Sequence, residues 1–193
     1  MSTGPLLFRN QEGEVQPYLS HLEGITYKSN PMMFFIFLAR YKFAARHLKK
    51  TDRVLDAGCG PGIGSVMLAQ AAGSVVGLDY DPGLVAQCRK QYGDLPSLTF
   101  AQADLLAAPY EPNAFDAVVC IDVVEHFAPQ DGERFLNHLA ASLKDGGLAI
   151  IGTPNSVSAP YASKRRKHSH PVEYDPRTFD TFLAREFRRR RHV

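Results

Sequence analysis

Residues 54–64 read Val-Leu-Asp-Ala-Gly-Cys-Gly-Pro-Gly-Ile-Gly, a short apolar strand pattern that passes through a glycine-rich turn into a helical pattern. Glycine lets the backbone approach a ligand that a Cβ atom would exclude. A dinucleotide-binding turn would also carry glycines, but its GxGxxG spacing fails in both registers, because Ile63 and Ser65 stand where the last glycine is required. A carboxylate at Asp56 would oppose a pyrophosphate and favour a cation. The turn therefore predicts a site for a cationic ligand without phosphate.

Strand and helix patterns alternate along the chain from this turn onward. We predict strands at 53–56, 74–79, 98–101, 115–121 and 147–152, helices near 63–72, 82–92 and 131–144, and an earlier helix over 31–48 that begins at Asn30-Pro31. This alternation favours parallel pairing with right-handed crossovers, hence an α/β fold with a Rossmann-like, doubly wound, mostly parallel sheet. Ligands of such sheets bind at the carboxyl ends of the strands, where the strand order reverses.

Length and composition predict one domain. The chain has 193 residues, of which 45% are hydrophobic, and this is enough for a full core. No apolar run approaches the ~18 residues that span a bilayer, and the first residues lack the basic start of a secretion signal, so we expect a cytoplasmic protein without a membrane span. Cys59, Cys88 and Cys120 suit neither a disulfide framework nor zinc-ligand spacing, and we expect reduced thiols.

Charge is divided unevenly along the chain. Residues 1–159 hold 12 Lys/Arg and 16 Asp/Glu, a net charge of −4, whereas residues 160–193 hold 10 Lys/Arg and 4 Asp/Glu, a net charge of +6. The excess lies in the runs 164–167 and 188–191. Such runs can attract nucleic acid or an anionic acceptor, but a solvated loop and a basic tail are the ordinary interpretation. We therefore do not predict nucleic acid as the partner.

Acidic residues follow the second and third predicted strands. Asp79 ends the second strand, where an acid can accept both hydrogen bonds of a ribose diol. Tyr80 can lie against an adenine ring, although a tyrosine at a strand end often serves only in packing. Asp104 follows the third strand, where its carboxylate can accept the adenine amino group between Ala103 and Leu105. S-adenosylmethionine, which carries a sulfonium, an ammonium and no phosphate, fits this pattern better than a dinucleotide.

Four stretches, in order, resemble the motifs of class I S-adenosylmethionine-dependent methyltransferases. Residues 54–62 resemble the glycine-rich motif, and residues 77–79 resemble the second, acidic motif. Residues 115–126 are similar to the fourth-strand motif of ubiquinone-pathway and other small-molecule O-methyltransferases, and residues 143–147 match the turn before the fifth strand. The resemblance covers about residues 40–155 and concerns fold and cofactor rather than substrate.

The resemblance implies S-adenosylmethionine as cofactor, with S-adenosylhomocysteine as product, and it implies roles for single residues. Asp79 would hold the ribose and Asp104 the adenine. The residues implied at the methionine end all lie in the glycine-rich turn: Asp56, Gly58, Cys59, Gly60 and Gly62. The residues implied to border the transferred methyl group follow the fourth strand: Ile121, Asp122 and Val123.

A hydroxyl acceptor would need its proton removed. His126 follows the fourth strand at the mouth of the expected site and is the candidate base, with Glu125 as a helper. The alternative is that His126 only caps or packs the following loop.

The loop after the fifth strand lies where this family places its acceptor. His168, His170 and Glu173 in this loop can be read as metal ligands, but two histidines in one loop are weak evidence, and we predict no metal. His170 or Glu173 can equally contact the acceptor. Tyr161 and the basic run 164–167 would suit an anionic acceptor.

The end of the chain departs from the family pattern. Residues 175–187 resemble the helix that precedes the last two strands, and six residues follow it. We therefore expect a sheet without its last two strands, and an exposed strand or the helix at 31–48 would favour a homodimer. The expected single domain, 1–193, comprises an arm (1–30), a helix (31–48), a cofactor-binding core (52–155) and an acceptor-side loop, helix and basic tail (156–193).

Three functional hypotheses follow from the sequence. The first is an enzyme that methylates a small-molecule acceptor at oxygen, either a sugar or polysaccharide precursor or a phenol. The second is a non-catalytic relative that binds the cofactor or a partner. The third is a nucleic-acid methyltransferase that uses the basic tail, for which steeply salt-dependent binding is the expected signature.

Overall fold

A computed structural model describes residues 7–9, 15–17, 30–157 and 170–188. The central sheet consists of five strands, β3 (Arg53–Ala57), β4 (Ser74–Asp79), β5 (Leu98–Gln102), β6 (Phe115–Ile121) and β7 (Leu143–Gly152). Five α-helices accompany them, α1 (Pro31–Ala45), α2 (Ile63–Ala69), α3 (Pro82–Tyr92), α4 (Pro129–Ser142) and α5 (Pro176–Arg188), with a 3₁₀ turn at Val124–His126. The predicted arm contains an antiparallel pair, β1 (Leu7–Arg9) and β2 (Val15–Pro17), which the sequence pattern did not predict.

All pairings in the central sheet are parallel, and the strand order is β5-β4-β3-β6-β7. The chain first moves outward from β3 to β4 and β5, then returns to pair β6 with the other side of β3. The order therefore reverses between β3 and β6, and ligands of open α/β sheets bind beside this point. This topology confirms the predicted doubly wound α/β fold.

The sheet is buried on both faces. Helices α1, α2 and α3 pack on one face through residues that include Tyr41, Leu68 and Val85. Helices α4 and α5 pack on the other through residues that include Phe135 and Phe182. Because a parallel strand covered on both faces has no solvent side, β4 and β6 contain the continuous apolar runs 75–78 and 117–121 rather than an alternating pattern.

Several element boundaries differ from the prediction. Helix α2 ends at Ala69 and not at residue 72, α4 spans Pro129–Ser142 and not 131–144, and β3 and β5 are each one residue longer than predicted. Helix α1 ends at Ala45 and not at residue 48, although its start is as predicted, with Asn30 capping the backbone N–H of Met33. The Gly146-Gly147 turn expected before the last strand lies inside β7, because this strand begins at Leu143 directly after α4. The β6–β7 register shifts between Phe115 and Ala117, a bulge that accommodates the glycines.

Several predictions from the sequence stay predictions. Every helix in the described part of the chain is too short or too polar to traverse a lipid bilayer. The cytoplasmic location, the homodimer and the subdivision of the domain are not tested by the fold. Within the described residues the central sheet has the five strands above, whereas the basic runs 164–167 and 189–191, Tyr161 and His168 lie outside those residues.

Candidate cofactor and acceptor site

The glycine-rich turn joins β3 to α2 in a conformation that only glycine adopts easily. Gly58, Gly60 and Gly62 have positive φ values of 78°, 52° and 93°. A Cβ atom on Gly58 would lie 2.3 Å from Cγ2 of Val123, so this glycine allows the ends of β3 and β6 to meet. A Cβ atom on Gly60 would meet nothing within 4 Å. Gly60 therefore borders open space at the strand-order reversal, where a ligand can approach the backbone.

Asp56 is buried behind this turn and is fully shielded from solvent. The hydroxyl of Tyr41 donates to its Oδ1 at 3.1 Å, and the hydroxyl of Ser65 donates to its Oδ2 at 2.6 Å. Burial raises the pKa of Asp56 to about 7, while both hydrogen bonds act in the opposite direction. Both oxygens are thus bonded within the protein, and the direct contact with the cofactor expected from the sequence stays a prediction.

Asp79 lies beside the turn, at the end of β4. Its Oδ2 accepts the backbone N–H of Gly60 at 2.8 Å, and its Oδ1 accepts the backbone N–H of Asp81 at 2.9 Å. Each carboxylate oxygen has further acceptor capacity. The neighbouring Tyr80 side chain is 72% exposed. The residues predicted to hold the ribose and to lie against the adenine therefore stand side by side at the ligand edge of the sheet.

The residues predicted for the adenine follow β5, which pairs with β4. The backbone N–H of Ala103 donates to the carbonyl oxygen of Asp79 at 3.1 Å. Asp104 is exposed, and its Oδ1 accepts the backbone N–H of Leu106 at 2.8 Å. Leu105 is buried in the core beneath them. Pairing of β4 with β5 therefore brings Asp104 to the same edge as Asp79.

Cys59 is directed into the protein and bonds to the turn from its buried side. Its side chain is buried, and its Sγ and that of Cys88 both donate to the carbonyl oxygen of Gly60. The hydrogen bond with Cys88 and, next, burial raise the pKa of Cys59 far above its ordinary value. Cys59, Cys88 and Cys120 are all free thiols, as predicted.

The end of β6 faces the turn across the strand-order reversal. Ile121 is buried, and Asp122 adopts a positive φ of 57° while its backbone N–H donates to the carbonyl oxygen of Gly152 at 2.8 Å. The guanidinium of Arg40 in α1 pairs with the Asp122 carboxylate. Burial raises the pKa of Asp122, and Arg40 opposes this. The Arg40 contact was not predicted from the sequence.

Two histidines from distant parts of the chain meet next to Asp122. The rings of His126 and His170 pack edge to face with centroids 5.0 Å apart. Glu125 is fully buried beside them, and its Oε2 accepts the hydroxyl of Thr153 at 2.9 Å. Burial raises the pKa of Glu125. The structure thus places both predicted catalytic residues with His170, which the sequence linked only to its own loop.

Residues 54–147 match the sequence profile of a family described as methyltransferase domain. Residues 54–147 are therefore a methyltransferase domain, of the S-adenosylmethionine-dependent kind that its relatives are named for. One relative, named as a probable S-adenosylmethionine-dependent methyltransferase of Mycobacterium tuberculosis, is 37% identical over 105 residues, 54% of this chain and 36% of the relative. A ubiquinone biosynthesis O-methyltransferase of Xanthomonas campestris pv. campestris is 34% identical over 126 residues, 62% of this chain and 50% of the relative.

Solved structures show the same fold. An S-adenosylmethionine-dependent methyltransferase from Archaeoglobus fulgidus superposes with a TM-score of 0.64 at 21% identity, over 86% of this chain and 73% of that chain. The matched region of this chain corresponds to half or less of the two curated relatives. The comparisons therefore concern the methyltransferase domain and not the whole length of those relatives.

S-adenosylmethionine is the cofactor of this family, and the residues of the site fit it. The backbone of Gly60 borders open space, as a cradle for a ligand requires. The carboxylate of Asp79 accepts the backbone N–H of Gly60, so it lies beside this space and suits a ligand with positive charge. Asp79, Tyr80 and Asp104 at adjacent strand ends suit its adenosine. The acid-rich character of the edge would disfavour a pyrophosphate, in agreement with the failure of the dinucleotide glycine spacing.

Proposed function

We propose that this chain transfers a methyl group from S-adenosylmethionine to a small-molecule acceptor, at an oxygen atom. The observation that carries the proposal is the group Glu125, His126 and His170 at the end of β6, next to the predicted methyl-transfer position at Ile121, Asp122 and Val123. Acidic and imidazole groups at this position suit an acceptor that must lose a proton.

The proposed reaction needs few groups from the protein. When bound, S-adenosylmethionine supplies a methyl group on a positively charged sulfur. Methylation of a hydroxyl forms a carbon–oxygen bond, breaks a carbon–sulfur bond with its electron pair going to sulfur, and releases the hydroxyl proton. The protein must bring donor and acceptor into contact in line, which can contribute up to ~7–11 kcal/mol in well-oriented systems.

Different residues are proposed to hold the two reactants. Asp79, Tyr80 and Asp104 would hold the adenosine, and the turn around Gly60 would hold the methionine end. His126 is exposed at the mouth of the site and is the candidate to accept the hydroxyl proton. His170, whose ring packs against that of His126, would border the acceptor at the same position.

The acceptor is a phenol or a sugar-type hydroxyl in this proposal. The likeness to a ubiquinone biosynthesis O-methyltransferase supports the phenol, and the basic run at 164–167 would suit an anionic acceptor of either kind. The small-molecule interpretation also agrees with an acceptor-side cluster of acidic and imidazole groups, which offers little attraction to a polyanionic nucleic acid.

Calorimetric titration tests the cofactor. S-adenosylmethionine and S-adenosylhomocysteine should bind the wild-type chain and NAD should not, while Asp79→Ala should bind both nucleosides at least about tenfold more weakly because a ribose diol loses its acceptor. Asp94→Ala, at an exposed loop position, is the matched control. Unchanged binding by Asp79→Ala, or failure of both nucleosides to bind, would refute the assignment.

Methyl-label transfer tests the acceptor. Phenols, catechols, sugars, nucleotide sugars, amines, RNA and DNA should be compared, with mass spectrometry of the products. We expect a methyl ether from one of the hydroxyl classes. Cofactor binding without turnover on any class would favour the non-catalytic alternative, and labelling of RNA or DNA would favour the nucleic-acid alternative.

A further inference from the structure

We propose that Glu125, His126 and His170 form a binding site for a divalent transition-metal ion. One potential ligand atom from each of the three side chains lies within 4.8 Å of the other two. The residues come from the 3₁₀ turn after β6 and from the segment before α5, so the site exists only in the folded chain. Binding of a metal requires neither the cofactor nor an acceptor, but it uses the residues on which the proposed methyl transfer rests.

Glu125 has a buried oxygen atom that points to a missing ligand. Its side chain is shielded from solvent, and Oε2 is bonded to the hydroxyl of Thr153. The other oxygen, Oε1, is buried and has no hydrogen-bond partner among the described residues. Burying an acceptor without a partner costs about 1–3 kcal/mol, and a metal bond would remove this cost. Thr153 orients the carboxylate, as outer-shell partners of metal ligands do.

His170 is oriented in the same manner. Its Nδ1 lies 3.3 Å from Oε1 of Glu173, and both side chains are largely buried. A carboxylate on Nδ1 keeps the proton on this nitrogen and leaves the lone pair of Nε2 for a metal, which is the common arrangement of a metal-binding histidine. Glu173, considered as a ligand from the sequence, is in this proposal the group that positions the ligand His170.

His126 completes the group from its solvent side. Its ring is exposed, and this gives an ion a path to the buried carboxylate of Glu125. The three atoms lie within 4.8 Å of one another, and side-chain rotation can bring them to the metal–ligand bond lengths of about 2.0–2.2 Å. Three protein ligands leave at least one coordination position open for water or an acceptor oxygen.

The ligand types select the class of ion. Two imidazoles and one carboxylate suit Zn²⁺, Mn²⁺, Fe²⁺ or Co²⁺, whereas Mg²⁺ and Ca²⁺ prefer oxygen ligands alone. Asp122 lies close enough to both imidazoles to interact with their charge, but its carboxylate is paired with the guanidinium of Arg40. The negative charge that favours a dication is therefore that of the Glu125 carboxylate.

An ion at this position would change the role of His126. As a ligand, its ring nitrogen would no longer be available to accept a proton. A coordinated hydroxyl or water has a lower pKa, so the ion itself would assist the release of the acceptor proton. The open coordination position and the predicted methyl-transfer position at Asp122 belong to the same end of β6.

Titration with Co²⁺ tests the site without any assay of methyl transfer. The full chain, free of a histidine tag, should bind one equivalent of Co²⁺ with a visible absorption band, and Zn²⁺ should displace it. Glu125→Gln, His126→Asn and His170→Asn should each weaken Co²⁺ binding by at least about tenfold. His47→Asn, at an exposed histidine of the turn after α1, should bind as the wild type does.

Two results would overturn the proposal: no stoichiometric Co²⁺ or Zn²⁺ binding by the wild-type chain, or binding that the three variants leave unchanged. Thermal unfolding of each variant shows that it is folded, and exposed His126 provides a variant that tolerates replacement even if Glu125→Gln does not fold. S-adenosylhomocysteine titration of the same preparations separates the two proposals, because loss of metal binding with intact nucleoside binding affects only the metal site.

Discussion

The hydroxyl of Tyr41 lies 3.1 Å from Oδ1 of Asp56 and donates a hydrogen bond that joins α1 to the end of β3. The ring of Tyr41 is almost wholly buried, and a Cβ atom on Gly64 would lie 2.2 Å from its Cζ. Only glycine at position 64 therefore leaves room for the ring. Because Gly64 and Asp56 flank the glycine-rich turn, this contact couples the position of α1 to the conformation of the cofactor site.

Removing the Tyr41 hydroxyl should destabilise the protein. Tyr41→Phe keeps the ring but leaves Oδ1 of Asp56 without its donor, so we expect a loss of about 1–3 kcal/mol in the free energy of unfolding. Urea denaturation measures the loss. Tyr80→Phe removes a hydroxyl from a largely exposed ring and should change the stability little. Equal stability of the two variants would show that the Tyr41 hydroxyl contributes nothing.

Asp56 should make the unliganded protein less stable as the pH rises from about 4 to about 7. Its folded pKa of about 7 lies above the ordinary value of 3.8, chiefly because of burial. In this window the folded chain holds a proton that the unfolded chain has released, so raising the pH favours unfolding. Below the window both states are protonated and above it both are ionised, so the contribution to the slope is confined between the two values.

Asp56→Asn should remove this part of the pH dependence. The free energy of unfolding should be measured for the wild type and the variant at about pH 5, 6, 7 and 8. The other titratable groups contribute equally to both proteins, so the difference between the two pH curves reports on Asp56. Nearby Asp79 also raises the pKa of Asp56. In Asp79→Asn, the fall in the free energy of unfolding should therefore end at a lower pH than in the wild type. Parallel curves for wild type and Asp56→Asn would contradict a raised pKa.

The sequence predicts best what depends on neighbouring residues. The strands at 74–79 and 115–121 have the predicted bounds, because a parallel strand buried on both faces is an apolar run that can be recognised locally. Asp79 and the glycines of the turn lie at strand ends, and the topology alone brings strand ends to one edge. Their placement therefore followed from the correct prediction of a doubly wound parallel sheet.

Contacts between distant segments were not predicted. Arg40 and Asp122 are separated by 82 positions, and no pattern in α1 distinguishes Arg40 from its other polar residues. His170 was considered only with its sequence neighbours, whereas the structure places its ring against His126. The burial of Asp56 was also missed, because a carboxylate at a strand end looks the same in the sequence whether it faces a ligand or a tyrosine.

The Arg40–Asp122 pair should couple α1 to β6. Both side chains are about three-quarters shielded, so Arg40→Gln should leave the Asp122 carboxylate without its cation and raise its pKa further. In a double-mutant cycle with Asp122→Asn, unfolding measurements should give a coupling free energy of about 1–3 kcal/mol. Additive effects of the two changes would mean that the pair contributes no interaction energy.

A comparison of Gly60→Ala with Gly146→Ala should separate an effect on cofactor binding from an effect on folding stability. Gly60 and Gly146 both have positive φ, of 52° and 73°, and a Cβ atom on either meets nothing within 4 Å, so alanine should cost each site a similar backbone strain of about 1–2 kcal/mol. Only Gly60 borders the proposed cofactor. The alanine side chain at position 60 would fill space that the methionine end of the cofactor needs. We therefore expect Gly60→Ala to weaken S-adenosylhomocysteine binding at least about tenfold, and Gly146→Ala to leave it unchanged, in calorimetric titrations of variants with matched unfolding temperatures. Equal binding by the two variants would mean that the open space at Gly60 is not where the cofactor lies.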